Sequence, residues 1–188
     1  MRAALVLAAV VALAGCGGSG GGSGSGTTTT AAPADAVVKT SEGTFAIRLD
    51  AKDSPHTVAS FEKLARKGFF DGTIFHRIVP GFVIQGGDPS GSGSGGPGYT
   101  TTDPPRADAR YTKGVVAMAK TSQQPAGTAG SQFFVVTGAD AGLPPEYALL
   151  GKVVSGMDVV EKIGELGDPQ TERPTKRVVV ESISIRGR

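Results

Sequence analysis

Short stretches in which apolar and polar residues alternate make up much of the sequence from residue 37 onward. Residues 44–49 show this most clearly, because every second side chain is large and apolar, which is the period of a strand with one buried face. We predict strands at residues 37–40, 44–49, 73–78, 83–85, 114–119, 132–136, 149–154 and 177–185. So many short strands favour an antiparallel barrel.

Two segments repeat their apolar residues at helical spacing instead. The first begins with Ser54, which we expect to cap the helix, and Pro55, which the first helical turn tolerates; a basic pair and Gly68 end it. The second covers residues 157–164. With these helices over the ends of the barrel, the predicted fold is mainly β: a closed antiparallel eight-stranded β-barrel with two capping α-helices.

The N-terminal part of the chain lacks this patterning. Residues 1–15 join a positive charge to an apolar run of about 11 residues, too short for a membrane-spanning helix, and resemble a lipoprotein signal peptide cleaved before Cys16. Cys16 is the only cysteine, so we expect it to be lipidated; an ordinary secretory signal is the alternative. Residues 16–35, mostly Gly, Ser and Thr, are predicted to be a flexible linker, and residues 36–188 one folded domain.

Composition and charge narrow the function. A formal net charge of +2 at pH 7 gives no electrostatic footprint for nucleic acid. The two histidines, His56 and His76, and a single cysteine form no apparent metal-ligand set. Ser131 has no credible His–Asp partners for nucleophilic catalysis, and His76 is interpreted as a packed, hydrogen-bonded barrel residue. We therefore expect no metal and no cofactor and, since no exposed apolar stripe is apparent, a monomer.

Two segments concentrate the candidate chemistry. Residues 75–88, FHRIVPGFVIQGGD, place Arg77 and Gln85 in a run of apolar and β-branched residues, and residues 130–134, GSQFF, place Gln132 beside paired aromatics. Together these segments resemble the catalytic face of the cyclophilins, a family of peptidyl-prolyl cis-trans isomerases. The resemblance covers nearly all of the predicted domain and implies a cyclophilin-like barrel that catalyses rotation about Xaa–Pro bonds.

The resemblance also implies a role for each matching residue. Arg77 would donate a hydrogen bond to the prolyl nitrogen in the transition state, Gln85 would orient the arginine and contact substrate backbone, and Gln132 would supply the polar group of the opposite wall. A guanidinium suits this role because it is always charged and offers several donors in a rigid plane. The implied substrate-binding residues are Phe82, Val83, Ala119, Lys120, Phe134, Leu143 and Tyr147.

The predicted function is therefore prolyl isomerisation in exported proteins, by an extracytoplasmic lipoprotein anchored in a bacterial cell membrane. Its partners would be proline-containing segments of those proteins. The alternative is a cyclophilin-fold binding module or holdase chaperone whose isomerase activity is incidental. The combination of Arg77 with both glutamines favours the enzyme, because a pure binder has no need of the arginine. Lys120 stands where many relatives have asparagine, which bears on substrate choice.

Overall fold

The computed structural model describes residues 34–187, which are mainly β. The strands and helices, numbered in chain order, are β1 (Asp35–Thr40), β2 (Gly43–Leu49), α1 (Pro55–Arg66), β3 (Arg77–Val79), β4 (Val83–Gly86), β5 (Thr101–Thr102), β6 (Val115–Met118), β7 (Thr128–Ala129), β8 (Phe133–Val136), β9 (Leu149–Ser155), α2 (Met157–Gly164) and β10 (Val180–Arg186). Both helices lie where helical spacing of apolar residues predicted them.

Eight of the strands form one antiparallel sheet in the order β10–β1–β2–β9–β6–β8–β4–β3. Its two edges approach each other just before β3 and β10, where the amide of Gly72 donates to the carbonyl of Val180 at 2.8 Å and the amide of Phe75 to the carbonyl of Val178 at 3.1 Å. The sheet is therefore curled, and the mainly β fold with two helices is confirmed. Within residues 34–187 no ladder joins β3 to β10, so closure of the barrel stays a prediction.

One face of the sheet packs against the main apolar core. The alternating residues of β2 that predicted a buried face, Phe45, Ile47 and Leu49, are 1%, 0% and 4% exposed. Helix α1 joins this core through Phe61, whose ring meets the ring of Phe133 in β8 edge-on at 5.8 Å between centroids. The core thus fixes β8, and the opposite face of the same strand is free to form a site.

Helix α1 begins after Ser54 as predicted, but Ser54 does not cap it. The Ser54 hydroxyl is buried without a hydrogen-bond partner among the described residues, and its carbonyl accepts from the amide of Val58 at 3.0 Å. The carboxylate of Asp103 takes over the capping role, because its Oδ2 accepts from the amide of Thr57 at 2.6 Å. A residue far along the chain therefore satisfies the first turn of the helix.

Some strand boundaries differ from the prediction. The strand predicted at residues 73–78 is wrong in its bounds, because β3 begins only at Arg77 and Ile74 forms isolated bridges. The sequence of this segment does not reveal whether it pairs with one neighbouring strand along its length or, as Ile74 does, with two different segments at a single residue. The last strand begins at Val180 rather than at residue 177, and β5 and β7 form a small additional sheet that no sequence pattern indicated.

Most of the N-terminal predictions concern residues that the structure does not describe. The predicted signal peptide, Cys16 and the linker up to residue 33 lie outside the described residues. Asp35, assigned to the linker, begins β1, and Ala34 before it is 3% exposed. Among residues 34–187 no helix combines the length and apolar character needed to cross a membrane.

Candidate active site

Arg77 and Gln85 lie directly opposite each other on β3 and β4. A tight turn joins the two strands: the amide of Phe82 donates to the carbonyl of Val79 at 3.0 Å, and Gly81 has a φ of +70°, a left-handed conformation that suits glycine. Directly opposed residues of an antiparallel pair project from the same face of the sheet. The guanidinium and the amide therefore share one surface.

The same surface continues across β8 and β6. Gln85 is paired with Phe134, and Phe134 with Ala117. Phe134, Ala117 and Val83 belong to a second apolar cluster, distinct from the main core, and are 4%, 0% and 2% exposed. The apolar residues beside Arg77 are thus packed side chains and, at the same time, the floor of a surface site.

A cavity of about 280 Å³ lies above this floor. All the predicted substrate-binding residues line it together with Arg77 and Gln85, namely Phe82, Val83, Ala119, Lys120, Phe134, Leu143 and Tyr147. Gln132 instead borders an adjoining cavity of about 570 Å³, whose lining also includes Gln85, Ala119 and Lys120. The sequence prediction therefore brought together residues that are neighbours in space, although their roles in binding stay a prediction.

Arg77 has its guanidinium held on one side. Its Nε donates to Oε2 of Glu172 at 2.7 Å, and its Cζ lies 5.8 Å from the centre of the Phe82 ring, within cation–π range. The side chain is 34% exposed. Within the described part of the chain, neither Nη nitrogen makes a hydrogen bond, so most of the donors of the guanidinium are available to a ligand.

The group that orients Arg77 differs from the prediction. The sequence analysis assigned this orienting role to Gln85. The Nε2 of Gln85 donates to Oε1 of Gln132 at 3.0 Å, and no hydrogen bond among residues 34–187 joins Gln85 to Arg77. The group that does bind Arg77 is Glu172, which lies 95 positions later in the chain. Sequence analysis missed it because Glu172 lies in a loop with no motif and only the folded chain brings it close.

Comparison with known proteins decides the family. The protein-family model described as "Cyclophilin type peptidyl-prolyl cis-trans isomerase/CLD" matches residues 36–185. This chain belongs to the cyclophilin family. The resemblance that the two sequence segments indicated is thereby confirmed.

Related proteins support both the fold and the activity of this cyclophilin. Peptidyl-prolyl cis-trans isomerase A of Mycobacterium tuberculosis is 37% identical over 172 residues, covering 82% of this chain and 93% of the relative. Peptidyl-prolyl cis-trans isomerase B of Streptomyces anulatus is 37% identical, with 81% and 97% covered. A crystal structure of a cyclophilin-type isomerase from Cryptosporidium parvum, obtained with the dipeptide Ala-Pro, matches with a TM-score of 0.75 at 29% identity, covering 82% and 99% of the two chains. The protein is a peptidyl-prolyl cis-trans isomerase, acting on proline-containing peptides.

The side chain of Lys120 is buried in the wall of the candidate site. Its side chain is only 3% exposed, and its Nζ lies 2.8 Å from a carboxylate oxygen of Glu146 and 5.5 Å from the centre of the Tyr147 ring. The same ammonium donates to the carbonyl of Gln124 at 3.2 Å. The prediction placed Lys120 at the groove edge; the structure shows that its ammonium is already occupied by protein groups there.

The Gly- and Ser-rich tract after Asp88 is an ordered loop of the site. The carboxylate of Asp88 accepts hydrogen bonds from the amides of Ser90, Gly93 and Gly95 at 2.7, 2.6 and 3.0 Å. Burial disfavours the charged form of Asp88, but the hydrogen bonds from the Ser90 hydroxyl and these amides outweigh it and lower its pKa to about 2. Gln132 closes the loop from the other side, because its Nε2 donates to the carbonyls of Gly93 and Gly95 at 3.0 and 2.9 Å.

The structure also shows the surroundings of His76 and Ser131, the two residues that a search for general bases or nucleophiles would select. Burial lowers the pKa of His76 despite the nearby Asp88 carboxylate, so its ring is packed as predicted, and its hydrogen bonding stays a prediction. The hydroxyl of Ser131 donates to the carbonyl of Gly87 at 2.7 Å. In the described range, no group of three or more His, Cys, Asp or Glu is arranged to hold a metal ion.

Proposed function

We propose that this cyclophilin accelerates Xaa–Pro isomerisation in exported proteins by an arginine-assisted mechanism without covalent chemistry. Rotation about the Xaa–Pro bond crosses a barrier of about 20 kcal/mol, because the twisted amide loses its resonance. In the twisted state the prolyl nitrogen becomes pyramidal and regains a lone pair. A donor that binds this lone pair stabilises the transition state more than either ground state, which is the condition for catalysis.

The observation that carries this mechanism is the hydrogen bonding of Arg77. Glu172 occupies only the Nε of the guanidinium, while Arg77 lines the cavity and its Nη groups have no partner in the described chain. We assign to one Nη group the hydrogen bond to the prolyl nitrogen. Because a guanidinium stays charged at every physiological pH, this donor needs no activation by a neighbouring base.

The apolar residues of the cavity suit the proline ring itself. Val83 and Phe134 form a buried floor, and Phe82 and Leu143 line the same cavity. A ring anchored there would stay in place while the preceding residue turns, so the rotation would occur about the Xaa–Pro bond alone. This division of labour separates binding, which the apolar floor supplies, from transition-state stabilisation, which Arg77 supplies.

The two glutamines receive different assignments. Gln85 lines both cavities, and its Oε1 makes no hydrogen bond within residues 34–187, so we assign it to accept a backbone N–H of the substrate. Gln132 has both ends of its amide engaged by protein groups. We assign Gln132 to positioning Gln85 and the loop after Asp88.

The proposed location follows from the N-terminal sequence. Residues 1–15 resemble a lipoprotein signal peptide, and Cys16, the only cysteine, stands at the position where such peptides are cleaved and lipidated. A protein carrying two or three acyl chains is held firmly at a bilayer. We therefore propose a membrane-anchored, extracytoplasmic enzyme whose substrates are exported proteins passing the same surface.

Catalysed refolding tests this function against the holdase alternative. The substrate is an exported protein whose slow refolding phase is limited by Xaa–Pro isomerisation, and the cyclophilin is added far below equimolar amounts. The wild type should raise the slow rate in proportion to its concentration, whereas Arg77→Ala should not. Suppression of aggregation at equimolar amounts, equal in both proteins and without a change of the slow rate, would favour the holdase.

A further inference from the structure

We infer that Glu172 is the positioning residue of the active site: by binding Nε of Arg77, its carboxylate sets the plane of the guanidinium and directs the Nη donors to the bound proline. This inference rests on the proposed role of Arg77 in catalysis. The contact is a charge-assisted hydrogen bond of 2.7 Å, the stronger kind of hydrogen bond in proteins. It replaces the orienting contact that sequence analysis assigned to Gln85.

The backbone of Glu172 is held in an unusual conformation. Its φ of +57° makes it the one residue other than glycine with positive φ in the described chain. Two hydrogen bonds of 2.8 Å fix it there: its amide donates to the carbonyl of Asp168, and its carbonyl accepts from the amide of Ile78. Because Ile78 follows Arg77 directly, the carboxylate and the guanidinium are anchored to the same short stretch of β3.

The loop behind Glu172 is tied together by Asp168. Its carboxylate accepts from the amides of Gln170 and Thr171 at 2.9 and 2.8 Å, and its own amide donates to the carbonyl of Arg173 at 2.8 Å. The backbone hydrogen bonds from Thr171 and Gln170 lower the pKa of Asp168. The loop thus presents Glu172 from a defined position rather than from a flexible tip.

The choice of Nε has a chemical consequence. A guanidinium is planar, so a fixed hydrogen bond at Nε also fixes the directions of the Nη groups. Phe82 lies on one side of the guanidinium, at 5.8 Å from Cζ to the ring centre. Glu172 and Phe82 together restrict Arg77 from two directions and leave its Nη donors for the substrate.

The same contact is a poor candidate for a purely structural role. The side chains of Arg77 and Glu172 are 34% and 46% exposed, and ion pairs with this much exposure contribute little to folding stability. Loss of the Glu172 carboxylate should therefore lower activity without lowering the melting temperature.

Two substitutions separate the carboxylate from the loop. Glu172→Asn keeps a residue that tolerates left-handed backbone but is one methylene shorter, so it no longer reaches Nε. Glu172→Gln keeps the length and an acceptor oxygen while removing the charge. We expect kcat to fall roughly tenfold in Glu172→Asn and roughly threefold in Glu172→Gln, with KM unchanged within about twofold, because misplacement of a catalytic group acts on the chemical step.

A matched control is available on the outer strands. Glu181 in β10 is 43% exposed and forms a 2.8 Å ion pair with Lys39, so Glu181→Asn removes a comparable pair outside the site. A spectroscopic readout complements the kinetics: hydrogen exchange at Nε of Arg77, followed by ¹⁵N NMR, should be slow in the wild type and in Glu181→Asn and faster in Glu172→Asn.

The test distinguishes this inference from the proposed function. If Arg77→Ala is strongly impaired but still measurable while Glu172→Asn and Glu172→Gln retain the kcat of the wild type, the positioning role is overturned and the function of Arg77 stands. If Arg77→Ala remains active, the proposed mechanism fails first. In an Arg77→Ala background, Glu172→Asn should cause no further loss, since its effect acts through the arginine; a further tenfold loss would overturn the inference.

Discussion

The amide nitrogen of Gln85 donates to the amide oxygen of Gln132 at 3.0 Å, and the amide nitrogen of Gln132 donates in turn to the carbonyls of Gly93 and Gly95. This side-chain pair therefore connects β4, the strand opposite Arg77, to the loop that lines the cavity of about 570 Å³. A substitution that loosens this loop should therefore displace Gln85, and a displacement of Gln85 should loosen the loop.

Substitution of Gln132 should weaken substrate binding more than catalysis. Gln132→Ala removes three hydrogen bonds, so the loop loosens and Gln85 loses its partner. We expect KM for a Xaa–Pro peptide to rise several-fold, roughly threefold to tenfold, with kcat changed less. Hydrogen exchange at the amides of Gly93 and Gly95 should accelerate. Thr44→Ala, an exposed position in β2 away from the site, is the control. A collapse of kcat in Gln132→Ala with unchanged loop exchange would show direct participation in the chemistry.

The stability of the fold should depend on Asp88 in a pH-dependent way. The pKa of Asp88 is lowered from 3.8 to about 2 in the folded protein, so the stabilisation from its charged form is complete above its ordinary pKa and is lost as pH falls from about 4 to about 2. A shift of this size corresponds to about 2 kcal/mol. Urea unfolding should show Asp88→Asn to be less stable by at least about this amount at pH 7.

The pH series also provides the check on Asp88. The difference in unfolding free energy between wild type and Asp88→Asn should shrink as the pH approaches 2, because the wild type then loses the same charge. Asp53→Asn, which removes the charge of an exposed carboxylate, is the control for a change of net charge. A difference that stays constant from pH 7 to pH 2 would contradict the stabilising role of the Asp88 carboxylate.

Lys120 should act on affinity by holding the wall between the two cavities. Lys120→Met keeps the buried stem but removes the ammonium that binds Glu146 and the Gln124 carbonyl. We expect KM to rise roughly threefold to tenfold and kcat to change less than about twofold, since no contact joins Lys120 to Arg77 in the described chain. Lys152→Met serves as the control. An unchanged KM would mean that the wall does not need its ammonium.

Sequence reasoning predicted which residues of the candidate site are neighbours in space better than it predicted the contacts between them. Arg77 and Gln85 lie in one hairpin, so their opposition follows from a short local pattern and a turn. Contacts made across the fold could not be predicted: Glu172 reaches Arg77, and Asp103 caps α1, only after distant loops have closed. Lysine usually extends its ammonium into water, so the burial of Lys120 had no signal in the sequence either.

The membrane proposal depends on Cys16 and can be tested independently of isomerase activity. Cells expressing the full chain are grown with a labelled fatty acid, and the protein is then isolated from the membrane fraction. The wild type should carry the label, and Cys16→Ser should lose it and leave that fraction. Equal labelling of both proteins would reject lipidation at Cys16, although isomerase activity would be unaffected by that result.

The most direct test of the mechanism is the rate of Xaa–Pro exchange in a peptide, measured by NMR with wild type, Arg77→Ala and Arg77→Lys. The control is Arg106→Ala, which removes an exposed arginine paired with Asp108. With all four proteins folded, Arg77→Ala should lose at least about a hundredfold in kcat/KM, and Arg77→Lys should recover little of it, because an ammonium lacks the planar donors. Activity of Arg77→Ala within about threefold of the wild type would contradict arginine-assisted catalysis.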